Sequence, residues 1–202
     1  MTERRRFGDA GQAFPIYITV VGGLLFLALA YFAVGQAAVN RNGAQTAADA
    51  AALAAAQDTR NQLVREWSSN VLDPAKWSDI FAGRGLVLQS SCWRAAQLAG
   101  QNHAHLLGSG GCSPGLLSYT VRVETDEPMG DSVVPITSTK HSKASATAVI
   151  KSLCTFDPPS AEAGKKVLPM LTCEGGRRWE LDPDHLTDLP GPEDLFDVHL
   201  AD

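Results

Sequence analysis

The sequence predicts an α+β protein. A single N-terminal transmembrane helix continues into a long alanine-rich helix. A small domain of one helix and an antiparallel sheet follows, then a proline-rich, acidic C-terminal extension. Three observations carry this expectation. No charged side chain occurs from Ala10 to Asn40. Alanine dominates from Gly35 to Trp67 with no proline to interrupt it. Apolar residues then alternate with polar ones at residues 117–125 and 143–151, the period of a half-buried strand. The chain divides accordingly into a terminus (1–13), a span (14–39), a helical stem (40–67), a compact α+β body (68–153) and the extension (154–202).

The most apolar part of the span runs from Phe14 to Val34. That is long enough to cross a hydrocarbon core of about 30 Å as a helix, the one open-ended conformation that satisfies its own backbone there. Pro15 fits a first helical turn, where a missing N–H costs little. Tyr17 and Tyr31 sit toward the two ends, where interfacial aromatics gather. A cleavable signal has a shorter apolar core and a small-residue cleavage site. This core is longer, and no A-x-A site precedes Arg41, so an uncleaved anchor is the expectation. Arg4, Arg5 and Arg6 precede the span, which places the N-terminus in the cytoplasm and the body outside.

The stem reads as one helix continuous with the span, with Gly43 its weakest position. Small residues recur at Ala44, Ala47, Ala48, Ala51, Ala54 and Ala55, at helical spacing. Two readings stand open: an exposed helix of high intrinsic stability, or a face for close helix–helix contact. The candidate interface comprises Ala44, Gln45, Ala47, Ala48, Asp49, Ala51, Ala52 and Ala55. A second helix is expected over residues 86–107, terminated by the glycine run at 108–111. Residues 132–137 suggest a short edge strand broken by Pro135.

Four cysteines, Cys92, Cys112, Cys154 and Cys173, all follow the span. With the body outside, disulfides are expected rather than zinc. Three pairings exist in principle; proximity favours Cys92–Cys112 and Cys154–Cys173.

The net charge of −5, from 17 basic and 22 acidic residues, leaves no broad basic field, so nucleic-acid binding is disfavoured. His103 and His105, one residue apart, would point about 200° apart on a helix and do not converge on one metal. The acids of the C-terminal segment lack the D-x-[DN]-x-[DN]-G calcium loop and read as a solvated face. Neither G-x-S-x-G nor H-E-x-x-H occurs. The expectation is a protein with no catalytic constellation and no cofactor. The last residues keep Trp179, Leu181, Leu186, Leu189, Leu195, Phe196 and Val198, which suits docking onto the body or a partner.

Gly11-Gln12, the single span, the Arg41/Gln45 patch and the run Ala47-Ala48-Asp49-Ala50-Ala51-Ala52-Leu53-Ala54 together resemble the N-terminal region of TadE/TadG-like proteins of Flp (tight adherence) pilus assembly. The resemblance covers about residues 11–56, and the later order of helix and strands is similar, more weakly, to the pseudopilin-like TadE body. It implies a non-enzymatic membrane component of a type IV-pilus-related secretion machine, minor-pilin-like or an envelope scaffold. The partners it implies are the pilin, the integral-membrane platform, the secretion ATPase complex and other TadE/TadG-like subunits. It also makes Gly11-Gln12 the candidate for prepilin-type processing. The pattern departs there, since Ile16 stands where such peptidases prefer glutamate, and an uncleaved anchor follows. The competing expectation is a membrane-tethered extracytoplasmic binding module unrelated to pili.

Overall fold

The computed structural model describes residues 13–128, 139–157 and 168–201. Helix α1, Ala13–Ser69, is a single helix of 57 residues, about 85 Å long at 1.5 Å per residue. Its only proline, Pro15, sits in the first turn, where the orphan N–H positions tolerate it. The Pro15 carbonyl still gains a partner, the hydroxyl of Thr19 at 2.8 Å. One helix serves two surroundings. In the segment Phe14–Gly35 no residue of the most apolar window is buried by the rest of the protein. From Ala44 onward the helix is the spine of a folded body, and eight alanines between Ala44 and Ala56 are buried.

The chain leaves α1 through a turn closed by Trp77 Nε1 donating to the Asn70 carbonyl, then forms the short helix α2, Trp77–Phe81. Trp67, Trp77 and Phe81 meet edge to face, and Phe81 stacks on Phe196, so the far end of the body is an aromatic plug. Helix α3, Cys92–Gln101, is shorter than the expected 86–107. Before it, Gln62 of α1 holds the backbone of Gln89 extended, accepting from its N–H at 2.8 Å and donating to its carbonyl at 3.0 Å. After it, the Asn102 side chain donates to the Leu98 carbonyl and His103 takes a φ of 54°, which ends the helix.

The chain then enters a sheet. Strands β1, Ala104–Leu106, and β2, Cys112–Pro114, both pair antiparallel with the same side of β3, Ser118–Thr125. The glycine run at 108–111 therefore turns β1 into β2 rather than ending a helix. Gly111 is required there: a Cβ would lie 2.5 Å from the Leu107 nitrogen. Strand β4, Lys143–Ser152, pairs antiparallel with β3, Tyr119 facing Ala148 and Val121 facing Ala146. The buried face comprises Tyr119, Val121, Val123, Ala146, Ala148 and Ile150, alternating with outward residues such as the hydrogen-bonded pair Thr120 and Thr147. Helix α1 lies across this face, and α3, which buries Ala95 and Ala99, lies beside α1. The edge strand expected at 132–137 lies outside the described residues.

The C-terminal segment is more ordered than its prolines suggest. Strands β5, Cys154–Thr155, β6, Leu171–Cys173, and β7, Arg178–Trp179, make a small second sheet. A single turn, α4, Pro192–Leu195, leads into β8, Phe196–Leu200, which pairs with β4 from Ala148 to Ser152. The acidic tail thus ends as the fourth strand of the main sheet's path, with Leu195 and Phe196 fully buried. Cys92 bonds to Cys112, fastening α3 to β2, and Cys154 bonds to Cys173, its direct neighbour across β5 and β6.

Alanines on the helix and on β4 bring the two backbones close, and a well-packed contact of this kind tolerates no added bulk. Ala48→Leu in the full chain in detergent is expected to lower stability by about 1–3 kcal/mol, read as a lower thermal midpoint by circular dichroism, whereas Thr46→Leu on the exposed side leaves it near the parent value.

Candidate functional site

The residues singled out in the sequence fall on α1, and the structure divides them. Ala44, Ala47, Ala48, Ala51, Ala52 and Ala55 are all fully buried. What covers them is this chain's own sheet and α3. As a docking face for another molecule they are occupied, because the small side chains that would admit a foreign helix admit the sheet instead. In the structure this face packs against the chain's own strands β3 and β4 and helix α3.

Gln45 and Asp49 lie at the margin of the covered face. Gln45 Nε2 donates to Asp49 Oδ1 at 2.8 Å and reaches the Ser145 carbonyl at 3.4 Å. These residues, with Thr147 and Leu200, border an open groove of about 450 Å³ on the side of the body nearest the apolar half of α1. Ala201 closes onto the same place, donating its N–H to the Thr147 carbonyl at 2.8 Å. Gln45 therefore fixes α1 against the start of β4, while Asp49 orients Gln45.

A second polar cluster, further along α1, was not legible in the sequence. Ser91 Oγ donates to Asp58 Oδ2 at 2.8 Å and lies 2.7 Å from Thr59 Oγ1, which is 2.9 Å from the Tyr119 hydroxyl. The Ser91 N–H donates to that same hydroxyl at 3.2 Å, and Gln62 Nε2 donates to Asp58 Oδ2 at 3.1 Å. Thr59 and Ser91 are buried. One carboxylate and three hydroxyls thereby join α1, the start of α3 and β3. The only sequence signal was polar Asp58-Thr59 following nine alanines in the thirteen residues from Ala44 to Ala56. Ser91 is sealed from solvent, and its hydroxyl is engaged by Asp58 and Thr59.

His105 Nδ1 sits 2.7 Å from Asp126 Oδ1, and His103 is exposed at the end of α3. In the tail, the backbone N–H of Asp184 and then His185 hold the Asp182 carboxyl below the ordinary carboxylate range. Asp197 pairs with His199, and Asp194 with Arg177. Among the described residues no group of three His, Cys, Asp or Glu side chains converges to hold a metal ion. Gly11 and Gln12 lie outside the described residues.

What the geometry defines is an α+β body hung on a helix whose first half is apolar and uncovered, a candidate membrane span near the N-terminus. Residues 11–58 match the family model described as Tad, putative Flp pilus-assembly TadE/G-like. This N-terminal segment is thus TadE/TadG-like, and the match associates the chain with Flp pilus assembly in general terms. It takes in the candidate span and the alanine face and stops at Asp58, within α1. No curated protein matches the chain. No solved structure matches it either.

The buried hydroxyl chain yields a test. Thr59→Val leaves the hydroxyls of Ser91 and Tyr119 short of a partner and is expected to cost about 1–3 kcal/mol, whereas Thr46→Val on the exposed side changes stability by less than about 0.5 kcal/mol. Urea unfolding of the full chain in micelles, followed by tryptophan fluorescence, measures both.

Proposed function

We propose that this chain is a non-enzymatic, membrane-anchored component of the Flp (tight adherence) pilus machinery, minor-pilin-like or a scaffold of the envelope. The observation that carries the reading is a coincidence of boundaries. The TadE/TadG-like match at 11–58 covers the uncovered apolar half of α1 and the alanine face by which the same helix holds the body. A helix built this way couples what happens in the bilayer to a folded domain outside it.

In this reading the chain crosses the membrane once. Arg4, Arg5 and Arg6 keep the N-terminus in the cytoplasm, and the body is extracytoplasmic. The two disulfides fit an oxidising compartment. Since the alanine face is filled by the sheet, neighbours in the machine meet the apolar half of α1 within the bilayer and the outer surface of the body. Those neighbours are the pilin, the integral-membrane platform, the secretion ATPase complex and other TadE/TadG-like subunits. Nucleic acid has no place among them.

A second reading, a membrane-tethered binding module unrelated to pili, is favoured by one observation: the body beyond residue 58 lies outside the family match. Crosslinking in cells, followed by mild detergent extraction and mass spectrometry, separates the two. The assembly reading expects pilin, platform or secretion-ATPase subunits among the captured proteins. Capture of none of them, alongside efficient crosslinking of a known membrane complex, would leave the binding module standing.

A further inference from the structure

The geometry points to a lipid contact on the body itself: the corner where β3 ends and β4 begins rests in the phospholipid headgroup layer of the membrane that holds α1. This rests on the reading that the apolar half of α1 spans that membrane.

The argument is one of height. Helix α1 is unbroken from the candidate span, Phe14–Gly35, into the body. The Gln45 side chain reaches the Ser145 carbonyl, so Ser145 stands within one side chain's reach of a residue ten positions past Gly35, about 15 Å along the helix. Strand β4 runs away from the membrane from there. Thr59, higher on α1, meets Tyr119, and Tyr119 faces Ala148 of β4. The start of β4 and the end of β3 therefore point back toward the bilayer. Ser142 lies three residues below Ser145, up to about 10 Å nearer at 3.3 Å per residue, less any obliquity of the strand. With the strand parallel to α1 the corner stands about 5 Å beyond the span, and obliquity of the strand raises it from there. The headgroup layer on each side of the hydrocarbon core is about 5–7 Å deep. Tilting the helix lowers the body further.

The corner is stiff and charged. Thr125 and Ser142 are joined by the Thr125 N–H to the Ser142 carbonyl at 2.9 Å and by the Ser142 N–H to Thr125 Oγ1 at 3.0 Å. His141 Nδ1 adds a bond to the Thr125 carbonyl at 2.7 Å. Exposed Lys140 and Lys143 stand beside Asp126 and Glu127, and Lys143 lies 3.7 Å from Glu124. Arg41, one turn before Gln45, is exposed at the same level of α1. Cations and anions are present in similar number. That pattern matches a zwitterionic headgroup, which offers a phosphate and an ammonium together, better than a surface of one sign.

The test uses the full chain in nanodiscs of phosphatidylethanolamine and phosphatidylglycerol. A fluorophore is attached through one added cysteine, at Thr139→Cys in the corner, Val87→Cys at the far end or Leu27→Cys in the span. Quenching is read with nitroxide carried either on the headgroup or on the acyl chain. The expected result is a several-fold greater headgroup quenching at position 139 than at position 87, with acyl-chain quenching at position 27. Inserting seven alanines after Ala38 raises the corner by about 10 Å and abolishes the headgroup quenching at 139 while leaving that at 27. Equal quenching at 139 and 87, with position 27 still quenched, overturns the lipid contact and leaves the anchor reading intact. Quenching at 139 that survives the insertion overturns the rigid-height argument. Loss of quenching at 27 overturns the anchor reading, and the contact falls with it.

Discussion

The close contact between the alanine face of α1 and the sheet holds this molecule together. Alanine has the strongest intrinsic helix propensity, so the stem stays helical without help from long side chains. Its small side chain also lets a helix lie close against strands whose inward residues are themselves partly alanine, Ala146 and Ala148. Toward its N-terminus the same helix is apolar and uncovered, a candidate membrane span whose backbone hydrogen bonds close within the helix itself. One uninterrupted element carries both the candidate span and the buried alanine face.

Small contacts carry little apolar area, and the body compensates at three levels along α1. Gln45 and Asp49 fix the helix to the start of β4 at the level nearest the apolar half of α1. Asp58, Thr59 and Gln62 fix it to α3 and β3 in the middle through buried hydroxyls. Trp67 fixes it to Trp77 and Phe81 at the far end. Each level specifies register as well as adding stability, since a one-turn slip of α1 would strand Thr59 and Ser91 without partners. The disulfides act where strands are shortest, at β2 and at β5 with β6, where few ladder bonds are available.

Much of this was legible in the chain. The uncharged run from Ala10 to Asn40 and the proline-free alanine stretch gave the long helix, because both signals are local. The alternation of Tyr119, Val121 and Val123, and of Ala144, Ala146, Ala148 and Ile150, gave β3 and β4. Tertiary contacts decided the rest. Residues 86–90 have helical composition, yet the Gln62 amide outbids the helix for the backbone of Gln89. Strand β8 carries its own alternation, Phe196, Val198 and Leu200 against Asp197 and His199, but prolines and acids on its N-terminal side make the segment look like a tail. The alanine face left two readings open, an exposed helix of high intrinsic stability or a close helix–helix contact. It could not show that the partner was the chain's own sheet, because residues a hundred positions apart supply the other side. The hydroxyl chain was hidden for the same reason.

Everything in this account depends on α1 remaining one helix where its apolar half passes into the body, through Gly35 and Gly43. A distance measurement addresses that directly. Nitroxides placed at Phe32→Cys in the span and Gln57→Cys on the exposed side of the stem, in the full chain in nanodiscs, are separated by 25 residues of α1. Double electron–electron resonance should give a narrow distribution centred near 37 Å, the rise of a straight helix at about 1.5 Å per residue. A broad distribution centred well below that value would show a hinge between span and body and contradict the account.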